Sequence, residues 1–163
     1  MDSPGRPLSE TPQEDLEHAT TRDTHYRKLE RMYHAAPVTR LYGTRLEVRK
    51  GEATVTLPVR EDFFHAAGAL HGSAYFRAMD DAAFFAANSV VEDRFVLTVG
   101  FNLHLTRPVR EGVLTAEGRL VHRSRTLLVA DAILKDQRGR EVARGTGTFL
   151  SRGPRLTPEI GYG

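Results

Sequence analysis

Residues 70–89, LHGSAYFRAMDDAAFFAANS, decide how the rest of the chain is read. From Gly72 or from Ser73, whose hydroxyl is a candidate N-cap, they predict a central helix over about residues 72–89, roughly 24 Å long at 1.5 Å per residue. Ala74, Ala78, Ala82, Ala83, Ala86 and Ala87 are strong helix formers, and Phe76, Met79, Phe84 and Phe85 spread bulk around the cylinder, so the helix is read as buried on most sides. Two adjacent carboxylates stand in its middle. Phe76, Asp80, Phe84 and Asn88 form one i, i+4 row, which sets Asp80 between two aromatic rings, while Asp81 is turned by roughly 100° onto the next face. A carboxylate flanked by apolar surface is desolvated, which raises its pKa and suits it to accept a proton near neutral pH. Asp81, on the other face, is read as a structural group. His71-Gly72 opens the helix, where unpaired N–H groups and the positive end of the dipole face outward. Gly72 has no Cβ, so a substrate carbonyl could approach its amide closely.

After this helix the apolar period changes to two. Leu97, Val99, Phe101, Leu103 and Leu105 alternate with Thr98, Gly100, Asn102, His104 and Thr106, and further strands are expected over 113–122, 126–135 and 141–150. Asp136-Gln137-Arg138-Gly139 is the turn of the last hairpin. Before the helix, residues 41–59 read as a hairpin about Arg49-Lys50-Gly51-Glu52, with Pro58 at a strand end. Tyr26, Leu29, Met32 and Tyr33 recur at helical spacing, which predicts a docking helix over residues 23–36, stopped by Pro37. Residues 1–22 are polar and carry Pro4, Pro7 and Pro12, and residues 154–163 carry Pro154 and Pro158; both ends are expected to be loose tails around one domain at 23–153. Hairpin, long helix and four consecutive strands make an α+β chain, an antiparallel sheet packed on one helix.

Composition narrows the function. The chain of 163 residues suits one domain with one core, and the absence of cysteine excludes disulfides, thiolate metal sites and cysteine nucleophiles. The net charge is only +2, and the basic residues, three lysines among many arginines, are spread along the chain; this does not suggest nucleic-acid binding. No apolar run has membrane-spanning length and no signal segment opens the chain, so a soluble, cytoplasmic protein is expected. The spacing of His65, His71, Asp80 and Asp81 fits no recognised zinc or iron pattern.

The motif H-G-S, followed by Asp80 nine residues after His71 and then by A-x-x-A-A-N-S, resembles the hot-dog fold acyl-CoA thioesterases of the phenylacetyl-CoA (PaaI-like) type. Their pattern is HGG, a helix, and an acid at that offset; Ser73 replaces the second glycine here. The likeness spans residues 26–150 and implies a hot-dog fold, a curved antiparallel sheet wrapped around the long helix. It implies hydrolysis of an aryl- or medium-chain acyl-CoA to free acid and coenzyme A, with no cofactor, in a homodimer or homotetramer whose sites lie between subunits. Asp80 would be general base or nucleophile, the Gly72 amide the oxyanion donor, and His71 the shaper of that turn. His65 stands where similar enzymes carry Asn; it keeps a hydrogen-bond donor and adds a titratable group. Ser73, Phe76, Met79 and Phe84 would meet the acyl group, and Thr98 falls where relatives place a small hydroxyl residue. His122, Arg123, Ser124, Arg125 and Thr126 align with the segment that contacts the pantetheine and nucleotide of coenzyme A, and Arg107 and Arg110 occupy a comparable place; two arginines and two hydroxyls suit phosphate. An enoyl-thioester hydratase or dehydratase of the same fold is an alternative, but neither its His-Phe-Pro-Gly nor its Asp-x5-His motif is present. A non-catalytic acyl-CoA-binding protein is the other, and the presence of both Gly72 and Asp80 argues against it.

Overall fold

In the computed structural model, which describes residues 12–163, the described residues begin with two helices, α1 (Pro12–Ala35) and α2 (Pro37–Tyr42). Pro37 divides them, because it has no amide to continue α1 and its fixed φ suits the first turn of α2. α1 begins inside the segment expected to be a tail. Pro12 occupies the first helical position, where a missing N–H is not felt, and the residues that follow it, QEDLEHA, are mostly fair to good helix formers. The tail expectation is therefore corrected for residues 12–22; its remainder, 1–11, lies outside the described residues.

Strands β1 (Arg45–Arg49) and β2 (Glu52–Pro58) form the expected hairpin. Short strands β3 (Phe64–His65) and β4 (Ala69–Leu70) then lead into helix α3 (Gly72–Asn88), the helix read from the sequence. Four long strands follow, β5 (Leu97–Leu105), β6 (Val113–Arg123), β7 (Leu127–Lys135) and β8 (Glu141–Leu150). They join the first hairpin in a six-stranded antiparallel sheet of order β1-β2-β6-β7-β8-β5. This is the expected α+β architecture.

α3 lies on one face of that sheet. Ala74, Ala78, Ala82 and Ala86 are fully buried, and they meet Val55, Leu57, Leu114, Ala116, Leu128, Ala130 and Leu134 in one core. Small residues along the helix let it approach the sheet closely. The approach is nearest at Gly118 of β6, where a Cβ would stand 2.1 Å from the carbonyl oxygen of Ala82.

The two sheet edges are treated differently. On β1, side chains of α1 take the outward backbone groups: Val48 N–H donates to Glu30 Oε1 (2.7 Å), Leu46 N–H to His34 Nε2 (3.3 Å), and Arg27 donates to Val48 O (3.0 Å). The docking helix thus closes an edge that would otherwise be free to pair. On β5, Leu97, Val99 and Leu105 are 41, 56 and 49% exposed.

Two further expectations change. Residues 154–163 are not loose: Phe95 N–H donates to Pro154 O (2.9 Å), Leu156 N–H to Asp93 O (3.1 Å), and Tyr162 OH meets His25 Nδ1 at 2.6 Å. These partners are far away in sequence, so no local periodicity announces them. The simple alternation of β5 also breaks, because a bulge between Thr98 and Gly100 leaves Val99 without a partner residue. Thr98 pairs with Phe149 and Phe101 with Gly147, so the bulge places Thr98 and Phe101 on the same face, towards α3.

Candidate active site

The first turn of α3 is capped by His71, not by Ser73. His71 Nδ1 accepts the Ser73 N–H (3.1 Å) and lies 2.8 Å from the Ser73 hydroxyl. Accepting at Nδ1 places the proton of the neutral imidazole on Nε2, which is left as an outward donor. Gly72 is the first residue of the helix, and among the described residues no acceptor meets its amide. A Cβ there would lie 3.1 Å from Leu105 Cδ1, so the glycine keeps a narrow approach open between the helix terminus and β5. His65 closes the β3–β4 turn instead: its Nδ1 accepts the Ala67 N–H (3.1 Å), two ladder positions from His71. Arg107 and Arg110 are exposed near this end of α3, where Leu70 N–H reaches Val109 O (2.9 Å) and Tyr75 OH reaches Arg107 O (2.9 Å).

Two turns along the helix the adjacent acids separate as their positions require. Asp80 is partly exposed and accepts the Thr98 hydroxyl proton at Oδ1 (3.0 Å), across from β5. Burial pushes its carboxyl above the ordinary carboxylate range, against the pull of the Thr98 hydrogen bond and the Arg77 charge. Asp81 is buried at the α1 side. Its Oδ2 takes the Tyr33 hydroxyl proton (2.8 Å) and pairs with Arg77 Nε at 2.9 Å, in an orientation that is an ion pair without an aligned hydrogen bond. Desolvation carries Asp81 up to about 7, while Arg77 and Tyr33 oppose it. Arg77 also reaches Thr39 Oγ1 (3.3 Å) and lies over the rings of Tyr33 and Tyr42. The i, i+4 spacing of Arg77 and Asp81 was visible in the sequence; Tyr33 and Thr39 were not, because they arrive from α1 and α2.

Asp80, Thr98, Phe84 and Arg77 share the wall of a cavity of about 820 Å³ with Phe95, Met32 and Ile160. Of the residues expected to meet an acyl group, Phe84 lines this cavity. Met79 is fully buried in the core and does not; the helical period that made it look available turns it to the sheet. Phe76 is 41% exposed and packs edge-on against Phe101, while Ser73 remains at the helix start. Asn88, in the same row as Asp80, is buried and structural: it donates to Val91 O and Arg94 O and accepts the Val96 N–H, fastening the loop after α3.

His122, Arg123, Ser124, Arg125 and Thr126 lie at the β6–β7 turn, all exposed except the partly buried Thr126. Arg123, Ser124 and Arg125 line a polar cleft with residues 90–94, beyond the C-terminal end of α3. Arg107 and Arg110 are at the opposite end, so one chain does not bring the two arginine groups together. Among the described residues no helix is long and apolar enough to cross a membrane.

With this geometry the chain can be set beside known proteins. The thioesterase superfamily profile matches residues 67–143, from the turn before β4 to the start of β8. A candidate esterase of Deinococcus radiodurans is 33% identical over 120 residues, covering 68% of this chain and 75% of that protein. A candidate esterase of Saccharolobus solfataricus is 28% identical over 104 residues, 64% and 74% of the two chains. A solved thioesterase family protein from Silicibacter pomeroyi superposes with a TM-score of 0.72 at 27% identity, over 77% of this chain and 96% of that one. The E. coli PaaI protein from the phenylacetic acid degradation operon superposes with a TM-score of 0.76 at 22% identity, over 83% and 99%, a likeness of fold.

Proposed function

The chain belongs to the thioesterase superfamily and has its hot-dog fold, and from that premise we propose that this thioester hydrolase acts on an acyl-CoA, with Asp80 as the group that activates water or attacks the carbonyl. The observation that carries this reading is a desolvated carboxylate, held by Thr98 on the wall of an apolar cavity, on the helix whose free N-terminal amide belongs to Gly72.

The distance between these two groups supports a site completed by a second subunit. Gly72 and Asp80 are eight residues apart on one helix, roughly 12 Å at 1.5 Å per residue. A carbonyl oxygen held by an amide at about 3 Å and a carbon attacked from about 3 Å away cannot span that separation. Gly72 of one chain therefore works with Asp80 of another. The β5 edge supplies the meeting place: it is open and apolar, in contrast to the α1-covered β1 edge, and Phe76 stands beside it.

In the reaction Asp80 takes a proton from water as the water oxygen bonds to the thioester carbon. The oxyanion is held by the Gly72 N–H, with the His71 Nε2–H beside it. Collapse breaks the C–S bond, and the proton on Asp80 passes to the sulfur, releasing acid and coenzyme A. In the alternative order the Asp80 carboxylate itself bonds to the carbon, coenzyme A leaves, and water cleaves the resulting anhydride. Arg107 and Arg110, or Arg123 and Arg125, offer guanidinium forks to the nucleotide phosphates. Release of free thiol from phenylacetyl-, benzoyl-, hexanoyl- and palmitoyl-CoA tests the reading. Asp80→Asn should lower the rate on whichever substrate is turned over by roughly 10²- to 10⁴-fold. Full activity in that variant would remove Asp80 from the chemistry.

A further inference from the structure

The cavity beside Asp80 is built largely from parts of the chain outside the superfamily match. Its inner wall on α3 comprises Arg77, Asp80, Asp81, Phe84 and Phe85, and Phe95 and Thr98 adjoin it, all within residues 67–143. The facing wall is Met32 and Tyr33 of α1, residues 35–39 at the α1–α2 junction, and Pro154 and residues 158–161 near the C-terminus. The terminal segment is fastened across the gap like a strap. At one end it bonds to the loop after α3 through Pro154 O and Leu156 N–H. At the other, Tyr162 OH meets His25, Lys28 sits 5.3 Å above the Tyr162 ring, and Arg31 Nε donates to Gly163 O (2.7 Å). Gly161, at φ 89°, turns the strap against Met32, where even a Cβ would be 3.3 Å from the Met32 Cα.

We propose that this strap and the start of α2 form the far wall of the acyl site, that Ile160 and Val38 set the longest acyl group accepted, and that the site takes an uncharged, apolar acyl group of medium length. The inference rests on the reading of Asp80 as the group that meets the thioester. Three observations select the class. The volume of about 820 Å³ is far more than a two- to four-carbon acyl group fills. The wall opposite α3 is mostly apolar, and its two large aliphatic side chains, Ile160 and Val38, are each more than a third exposed and free to meet an acyl chain. The polar groups of α3 are already engaged, Arg77 with Asp81 and Thr39, so they offer no free cation to a second carboxylate on the acyl group.

The test uses non-hydrolysable thioethers, S-butyl-CoA and S-decyl-CoA, with binding measured by calorimetry on the full chain. Each buried methylene is worth roughly fourfold in affinity, so burial of even four of the six extra methylenes should make the wild type bind the decyl thioether roughly 100-fold or more tightly than the butyl one. Ile160→Trp, at a partly exposed position outside the catalytic groups, should cut that preference by roughly tenfold by weakening the decyl thioether more than the butyl one. Val38→Trp, on the other segment, should act in the same direction and guards against misfolding of one variant. The proposal is overturned if the wild type does not prefer the longer chain, or if both variants leave the ratio unchanged or weaken both thioethers alike. Because binding is read without turnover, a wild type that shows this length preference yet hydrolyses no thioester would sink the proposed activity while supporting the cavity assignment.

Discussion

Replacing Gly118 by alanine should loosen the contact on which the whole site depends. A Cβ at this position would stand 2.1 Å from Ala82 O, 2.2 Å from Ala82 C and 2.7 Å from Ala83 N, all of them backbone atoms of α3. Flexible side chains could move aside; helix backbone cannot, so α3 must retreat from β6 by about 1 Å to restore ordinary contact. Overpacking of this kind costs about 1–3 kcal/mol, and the lower chain entropy of alanine in the unfolded state offsets about 0.4–1 kcal/mol of it. The net loss should lower the melting temperature by roughly 2–8 °C for a domain of this size. The same retreat moves Asp80 relative to Thr98, whose hydrogen bond is 3.0 Å long, and a 1 Å misplacement can lower turnover by about 10²-fold. Thermal denaturation and thiol release measured on one preparation give both numbers. An unchanged or higher melting temperature with unchanged turnover would refute the claim that α3 is seated on Gly118.

Two predictions concern protons. The Thr98 hydrogen bond favours the ionised form of Asp80, so Thr98→Ala should shift the acid limb of the kcat/KM–pH profile to higher pH, whereas a purely structural Thr98 would lower the plateau and leave the limb in place. His25 is buried against Tyr162 and the Asn88 carbonyl; its Nε2–H donates to Asn88 O (3.1 Å), leaving Nδ1 to accept from Tyr162. Desolvation, with Lys28 adding to it, lowers its pKa below 6.5, while Glu92 and the backbone bond act in the opposite sense. The unfolded chain therefore binds more protons than the native one below about pH 6.5, and the stability His25 contributes should fall as pH drops through that value, a slope that His25→Gln should flatten in chemical denaturation at pH 5.5 and 7.5.

Legibility in the sequence followed the range of the interactions. α3, the hairpins and the long strands were readable because their periods and turns are local, and so was the placement of His71, Gly72 and Asp80 at the start and middle of α3, because they are close in sequence. The N-cap departs from the expected hydroxyl: Ser is the commoner capping residue, yet His71 sits two positions before Ser73 with a ring nitrogen that accepts the Ser73 amide. Strict alternation could not reveal that Thr98 faces Asp80, since only the unpaired Val99 shifts the phase. The Tyr33–Asp81–Arg77 cluster and the strap were hidden for a different reason. Tyr33 is 48 residues from Asp81 and His25 is 137 from Tyr162, and nothing in a one-dimensional pattern couples such positions.

In the proposed mechanism one thioester is held by the Gly72 amide of one chain and attacked through Asp80 of another. Gly72→Pro removes the amide at the first helical position, where proline is tolerated, and Asp80→Asn removes the carboxylate. Each variant alone should have little thioesterase activity. Unfolding and refolding an equal mixture makes mixed dimers in which one of two sites keeps both groups, and random pairing should restore about a quarter of the wild-type rate of thiol release. A mixture no more active than its two parents, although mixed dimers are shown to form, would contradict the shared site.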